Sequence, residues 1–252
     1  MEQYLQETPL LNFGAEEIQK LIETRGWKEL QEFDKIKEIY NFVKDEIKLG
    51  YNAEDAIPAS KVLKCGYGQC NTKATLLMAL LRAVEVPCRL HACAVDKSLQ
   101  KGALGGIFYK KSPQTVLHSW AEVYYNKKWV ELEGVILDGA YLANLQKFYE
   151  SCQGAFCGFA VSCENFQNPN VEFNGEGTFI QSKSIVEDYG VYDSPDDLYK
   201  EHSQTITGFK KFCYQYLVRF IMNHNVKRIR NRKEKTKTPE AAEEKIEEKT
   251  EE

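Results

Sequence analysis

Residues 66–89 read GYGQCNTKATLLMALLRAVEVPCR, and this stretch decides the fold. Apolar residues recur at helical spacing from about Cys70 to Val84, which predicts an amphipathic helix. Cys70 stands at the start of that helix, directly after a turn that contains Gly66 and Gly68. Glycine allows both a sharp turn and a close approach of substrate to the backbone. A thiol at a helix start is favoured as a nucleophile, because the positive end of the helix dipole stabilises a thiolate.

A β-hairpin is predicted further along the chain. LHSWAEVYY (117–125) and KWVELEGVIL (128–137) alternate as strands do, and Asn126-Lys127 separates them as a two-residue turn. This turn pairs residues whose numbers sum to 253 (125 + 128). His118 would then face Val135, and Trp120 would face Glu133. A three-residue loop would reverse this parity.

The hairpin gives Cys70 a base and the base a partner. His118, Trp120, Glu131 and Glu133 would project from one face, with Glu133 diagonal to His118 and within its reach. We therefore expect His118 to act as the base for Cys70. Glu133 is expected to orient the imidazole of His118. Glu131 and Asp138 stay open as alternatives to Glu133.

Two motifs resemble the transglutaminase-like family. YGQC (67–70), followed by RAVEVPCR (82–89), resembles its nucleophile region, and HSWAEVYYNKKWVELEG (118–134) resembles its histidine and acidic strands. The resemblance covers about Lys35 to Asp138, and the whole chain is similar to small bacterial proteins described only as transglutaminase-like.

The resemblance implies an α+β, papain-like fold of the transglutaminase-core type, in which the nucleophile helix packs on an antiparallel sheet. It also implies a triad of Cys70, His118 and Glu133, although the family usually has Asp at the third position. The family's oxyanion-side polar residue usually lies upstream of the cysteine. Gln69 and Gly68, directly before Cys70, are therefore candidates for oxyanion and cleft positions. Trp120 is a further candidate, because it projects from the same face as His118.

The chain divides into three predicted parts. Residues 1–204 form the catalytic domain, with the motif core at 35–138 and an irregular, cleft-forming extension at 139–204. Residues 205–233 form an amphipathic C-terminal helix. Residues 234–252 form a charged tail that is expected to be disordered. With eight Glu against four Lys, this tail carries the whole formal charge of −4.

The C-terminal helix is predicted from Thr207 to Ile229. Its apolar stripe consists of Phe209, Phe212, Cys213, Tyr216, Leu217, Phe220 and Ile221. We expect this stripe to pack on the parent domain. The basic residues from Lys227 onward leave weak contact with a membrane surface as an alternative, which the acidic tail would oppose.

Composition and cysteine spacing allow predictions about the cellular compartment and about metal or cofactor binding. No apolar run reaches the length of a membrane span and no signal peptide is recognisable, so we expect a cytoplasmic protein with reduced cysteines. Cys152, Cys157 and Cys163 lack the short spacing of zinc sites. We expect no metal, no organic cofactor and no nucleic-acid partner, and the sequence is silent on oligomeric state.

These residues predict a cysteine-dependent amide or peptide hydrolase or acyltransferase that works through a thioester. The expected substrate is a peptide or protein amide, with hydrolysis favoured because animal transglutaminases carry additional β-domains and calcium sites. Lys101 to Pro113 is a candidate lid, and Cys152 to Asp193 a candidate cleft wall. The alternative is a non-catalytic transglutaminase-like binding module, supported by the exchange of Asp for Glu at position 133.

Overall fold

The computed structural model describes residues 1–202 and 208–232. In this part of the chain the α-helices are α1 Glu16–Arg25, α2 Glu32–Asp45, α3 Ala59–Cys65, α4 Cys70–Ala83, α5 Gly106–Lys111, α6 Gly139–Phe148, α7 Pro195–Glu201, α8 Gly208–Cys213 and α9 Arg219–Arg230. The strands are β1 Lys48–Leu49, β2 Tyr67–Gly68, β3 Cys88–Asp96, β4 Thr115–Tyr125, β5 Lys128–Glu131, β6 Phe156–Gly158, β7 Val161–Cys163 and β8 Ile185–Tyr192. A π-helical turn, Tyr214–Val218, joins α8 to α9.

A four-stranded antiparallel sheet is the β component of the fold. Its strand order is β5-β4-β3-β8, and all three neighbouring pairs are antiparallel. Two small two-stranded sheets, β1-β2 and β6-β7, lie outside it. The fold class predicted from the sequence, α+β with an antiparallel sheet, is therefore confirmed.

Helix α4 is the centre of the core. It contacts α1, α2, α3, β3 and β4. All its residues from Asn71 to Arg82 are buried, including Lys73. A helix that is buried around its whole circumference must be packed on every side, and this holds the first residue of α4 in a fixed place.

The predicted hairpin is correct at its turn and wrong beyond it. Tyr125 pairs with Lys128, and Asn126 and Lys127 have φ values of 48° and 64°, as a type I′ turn requires. However, β5 ends at Glu131. Residues Glu133–Ile136 turn into a 3₁₀ helix, so the predicted cross-strand pairs of His118 with Val135 and of Trp120 with Glu133 do not form.

Several elements have no counterpart in the prediction. Helix α3 lies between the predicted elements, and β8, an edge strand of the main sheet, lies in the stretch predicted as irregular. Helix α7 starts after Ser194, whose hydroxyl accepts from the Asp197 amide. The division into domains stays a prediction, and the tail at 234–252 and Thr207 lie outside the described residues.

The C-terminal helix packs through a different face from the one predicted. Phe212, Tyr216, Leu217 and Phe220 are exposed. Met222 and Val226 are buried instead, and Tyr214 and Val218 pack against the core. The prediction that the Phe212–Phe220 stripe packs on the parent domain is therefore wrong. The π turn adds a residue to one helical turn and shifts the phase of the faces along the helix.

An ion pair fastens α9 to the core. Arg230 donates from Nε to Asp138 Oδ1 at 2.9 Å and from Nη2 to Asp138 Oδ2 at 2.7 Å. Asp138 is fully buried and also accepts from the amides of Leu49 and Tyr141. Burial alone would raise the pKa of Asp138, but the guanidinium and the Leu49 amide outweigh it and lower the pKa below its usual value.

Replacing Arg230 with Met should lower the free energy of unfolding by about 3–5 kcal/mol, because Asp138 is left buried without its counter-charge. Urea denaturation measures this, and R228M is the matched control, since Arg228 is exposed and should cost no more than about 0.5 kcal/mol. Because Arg230 lowers the folded-state pKa of Asp138, the stability that this group contributes to the native protein should be full above about pH 4 and should be lost as pH falls through the folded-state pKa. Equal stability of the two variants would contradict this assignment.

Candidate active site

Cys70 is the first residue of α4, as predicted. The Thr72 hydroxyl accepts from the Gln69 amide at 3.1 Å, which caps the helix start. Gly66 ends α3 in the left-handed conformation, with φ of 68°, and so supplies the sharp turn. The thiol of Cys70 is half-buried at this helix start.

Gly68 has a structural task rather than a place in the cleft. A Cβ at this position would lie 2.6 Å from the Thr72 hydroxyl and 3.0 Å from the Lys73 side chain. Glycine is therefore needed for the close packing of the chain against the first turn of α4. The prediction that Gly68 admits substrate is not supported, because it is not among the described residues that line the cleft.

Asn71 ties the start of α4 to the strand that carries His118. Its side-chain amide donates to the Leu117 carbonyl at 3.2 Å, and its Oδ1 accepts from the Ser119 hydroxyl at 2.9 Å. These two bonds flank His118 along β4. The residue after Cys70 thus fixes the position of the strand residues before and after the histidine.

His118 is fully buried between Cys70 and Glu133. Its Nε2 lies 3.0 Å from Glu133 Oε1, whereas its Nδ1 makes no hydrogen bond within the described residues, and His118 and Cys70 line the same cleft. Burial alone would lower the pKa of His118. The electrostatic interaction with Cys70 and the contact with Glu133 outweigh burial and raise that pKa to about 10.

Glu133 reaches His118 from a 3₁₀ turn rather than from a strand. Its carboxylate is almost fully buried and also accepts from the backbone amides of Ile180 and Gln181, at 2.6 Å and 3.0 Å. The side chain, longer than Asp by one methylene, bridges the imidazole and these two amides. The carboxylate that the sequence favours does contact the imidazole, but the amides at 180 and 181 carry no side-chain motif that the sequence could reveal.

The turn that carries Glu133 is held from two sides. The amides of Glu133 and Gly134 donate to the Thr178 carbonyl at 3.1 Å and 3.2 Å. On the other side, the buried Nζ of Lys73 donates to the Ile136 carbonyl at 3.0 Å, which links the turn to α4 one helical turn after Cys70. Burial lowers the pKa of Lys73 to about 7, although Asp138 acts in the opposite direction.

The two alternative acids are placed elsewhere. Asp138 caps α6 and binds Arg230. Glu131 pairs with Glu122 across the hairpin, and no hydrogen bond joins it to His118 in the described chain. Among the three carboxylates left open by the sequence, Glu133 is the one that contacts the imidazole.

Gln69 lines the cleft, but its side chain is already engaged. Its Oε1 accepts from the Asn52 amide at 2.7 Å, and its Nε2 donates to Asp55 Oδ1 at 2.7 Å. As an oxyanion donor it would have to leave Asp55. Burial raises the pKa of Asp55, and the hydrogen bonds from Gln69 and Asn71 act against that rise.

Trp120 backs the imidazole instead of facing the cleft. Its ring centroid lies 5.5 Å from that of His118 and 4.4 Å from that of His91, on which it stacks. It is 4% exposed and is not among the described residues that line the cleft. The sequence predicts that Trp120 lines the cleft. In the structure Trp120 packs against His118 instead.

Cys70 and His118 open into a largely apolar cleft of about 760 Å³. Leu104, Phe108 and Pro113 of the predicted lid segment line it, whereas the predicted wall at 152–193 contributes Ala160 and Gln181. The remaining apolar lining includes residues of β3, β4, α7 and the C-terminal helix: Val95, Val116, Leu117, Tyr199, Tyr214, Val218 and Met222.

Cys152, Cys157 and Cys163 form no group with metal-ligand spacing in the part of the chain that the structure describes. Cys152 bonds to the Ala155 carbonyl, whereas Cys157 bonds to Ser98. In residues 1–202 and 208–232, the group with metal-ligand spacing is instead His91, Glu122 and Glu131. Both ring nitrogens of His91 already face carboxylates, Glu122 at 2.7 Å and Asp188 at 2.8 Å. A metal would have to displace one of them.

Residues 22–134 match the model of the family described as Transglutaminase-like superfamily. The matched stretch contains Cys70, His118 and Glu133, and it begins before and ends close to the bounds that the motifs predicted. No curated protein matches the chain significantly.

A solved structure described as "a Putative Cysteine Protease from Cytophaga hutchinsonii" is also similar, at 13% identity and a TM-score of 0.44. The match covers 77% of this chain and 47% of that one, so this chain spans about half of its length. None of the helices in the described chain is both long and apolar enough to cross a membrane.

Replacing Glu133 with Ala should lower the free energy of unfolding by about 3–5 kcal/mol, because His118 and the amides of Ile180 and Gln181 would lose a buried acceptor. Urea denaturation of E133A measures the loss. The matched control is E131A, which removes a half-buried neighbour without contact to His118 and should cost about 1 kcal/mol or less. If E133A were as stable as E131A, the buried network would not exist as described.

Proposed function

We propose that the chain is a cysteine-dependent acyl-transfer enzyme acting on amides, with Cys70 as nucleophile, His118 as acid and base, and Glu133 as the residue that orients His118. The observation that carries this proposal is the buried hydrogen bond between His118 and Glu133, in a cleft that Cys70 at the start of α4 also lines. The match to the transglutaminase-like family supports the same reaction class.

In the first half of the reaction, the Cys70 sulfur attacks the amide carbonyl carbon and forms a C–S bond. The C–N bond then breaks, and the imidazolium of His118 gives its proton to the departing amine. The amide of Cys70, at the first position of α4, has no carbonyl one turn earlier in the helix and is the proposed donor to the developing oxyanion. The raised pKa of His118 keeps the proton on the imidazole at neutral pH until it is needed.

In the second half, water or an amine attacks the thioester. Neutral His118 accepts a proton from the attacking group, the C–S bond breaks, and Cys70 is regenerated. Glu133 holds the imidazole orientation in both halves, because its other bonds go to rigid backbone amides. A peptide or protein amide remains the proposed substrate, and no metal or organic cofactor takes part in these steps.

The residues that line the cleft indicate which kind of substrate would fit. Its lining is mostly apolar, with Asp55, Glu54 and Lys111 among the charged residues that contribute to it. An extended, largely apolar segment on the acyl side of the amide would bury its surface there, at about 25 cal/mol per Å² of apolar area. The alternative of a non-catalytic module loses its one sequence argument, because Glu133 does reach His118.

Iodoacetamide should alkylate Cys70 faster than Cys65 at neutral pH, by on the order of tenfold, although Cys65 is the more exposed thiol. Cys65 is an internal reference in the same chain, and peptide mass spectrometry measures both rates in one sample. H118N should slow Cys70 and leave Cys65 unchanged, because only Cys70 has the imidazole as a neighbour.

Equal rates for the two thiols, or a Cys70 rate that does not respond to H118N, would favour the non-catalytic binding module. Far-ultraviolet circular dichroism of H118N checks that its fold is retained. The test needs no knowledge of the natural substrate.

A further inference from the structure

The C-terminal helix has two apolar faces, and only one of them is used. Tyr214, Val218, Met222 and Val226 follow each other at every fourth residue and pack on the domain. This face needs no partner. We define the exposed apolar face of the same helix as Phe212, Tyr216, Leu217 and Phe220.

The exposed apolar face is larger than the surface of a soluble domain requires. Phe212 is 57% exposed, Tyr216 65% and Phe220 55%, and Leu217 adds 49% beside them. The rings of Phe212 and Tyr216 lie 4.7 Å apart, so the side chains form one patch. Single exposed apolar side chains are ordinary, but a contiguous patch of large ones marks an interaction surface.

The charge of the segment that carries the exposed apolar face indicates which partner fits it. Residues 208–232 contain seven Lys and Arg and neither Asp nor Glu. Lys227 and Arg228 are exposed about two turns after Phe220, and Arg219 lies 4.4 Å over the Phe220 ring. Glu54 of the domain accepts a hydrogen bond from Gln215 beside Tyr216, so the surround is mainly basic. An aromatic and aliphatic patch with a mainly basic surround is complementary to an anionic lipid surface.

We propose that the exposed apolar face docks in the plane of an anionic membrane surface. Phe212, Tyr216 and Phe220 would enter the headgroup boundary, and Lys227 and Arg228 would contact lipid phosphates and carboxylates. A second copy of the chain fits less well, because two segments would face one another that each carry six Lys and Arg besides Arg230, which is paired with Asp138. Single-stranded nucleic acid fits less well because Leu217 offers no base a stacking surface and Arg219 already covers Phe220.

The proposal rests on the helix surface and is independent of the proposed acyl-transfer reaction. The two are nevertheless neighbours in space, since Tyr214 and Met222 on the opposite face of the helix line the catalytic cleft. Membrane docking would therefore bring the cleft close to the lipid headgroups. None of the four side chains of the exposed apolar face is among those that line the cleft.

Flotation of the full-length protein with vesicles tests the proposal. The protein should float with phosphatidylcholine vesicles that contain about one-third phosphatidylserine and should stay behind with pure phosphatidylcholine, with added salt weakening the binding. F212S/F220S should lose binding by about tenfold or more, because two rings leave the interface. The matched control V186S/V191S removes two exposed valines of β8 and should bind as the native protein does.

Three results would overturn the proposal: no flotation of the native protein with the anionic vesicles, equal loss in the valine control, or binding to poly(U) RNA that F212S/F220S abolishes while flotation persists. Alkylation of Cys70 in F212S/F220S should match that of the native protein. This readout verifies the fold of the variant and keeps failure of membrane docking distinct from failure of the proposed reaction.

Discussion

The buried hydrogen bond between His118 and Glu133 imposes its geometry on the surrounding structure. A carboxylate and an imidazole removed from water are tolerated only when each is paired and hydrogen-bonded. Glu133 meets this requirement because it accepts hydrogen bonds from the amides of Ile180 and Gln181 in addition to its contact with His118. The chain between β7 and β8 must therefore run beside the 3₁₀ turn, and Thr178 and Lys73 hold that turn in place. The same contact fixes the ring of His118 toward Cys70.

The parts that the sequence predicts well are governed by local interactions. The start of α4, the turn at Asn126-Lys127 and the strand with His118 follow from glycine, helical period and strand alternation, all of which act within a few residues. The register that places Glu133 near His118 fails after Glu131, but the turn that follows β5 keeps the Glu133 side chain within hydrogen-bond distance of the imidazole. Its backbone partners at 180 and 181 lie 47 and 48 residues away, and no side-chain pattern marks them.

The C-terminal helix illustrates a different limit. Its sequence carries two apolar stripes, and periodicity alone does not distinguish the stripe that packs from the one that faces solvent. The π turn at Tyr214–Val218 and the long-range ion pair of Arg230 with Asp138 decide the orientation. Asp138, which the sequence left open as a triad member, thus serves to anchor the helix that walls the cleft. A carboxylate near a predicted site can have a structural role. For Asp138 this role follows from its ion pair with Arg230, which lies 92 residues further along the chain.

The central claim is that Cys70, His118 and Glu133 act as one coupled group, and the titration of His118 tests it most directly. Nuclear magnetic resonance of the imidazole in the native protein should give His118 a pKa far above its ordinary value of about 6.5, raised to about 10 by Cys70 and Glu133 against the effect of burial. In C70S, which removes the contribution of Cys70 to this rise, the pKa of His118 should fall. A pKa near 6.5 in the native protein that does not change in C70S would contradict the account.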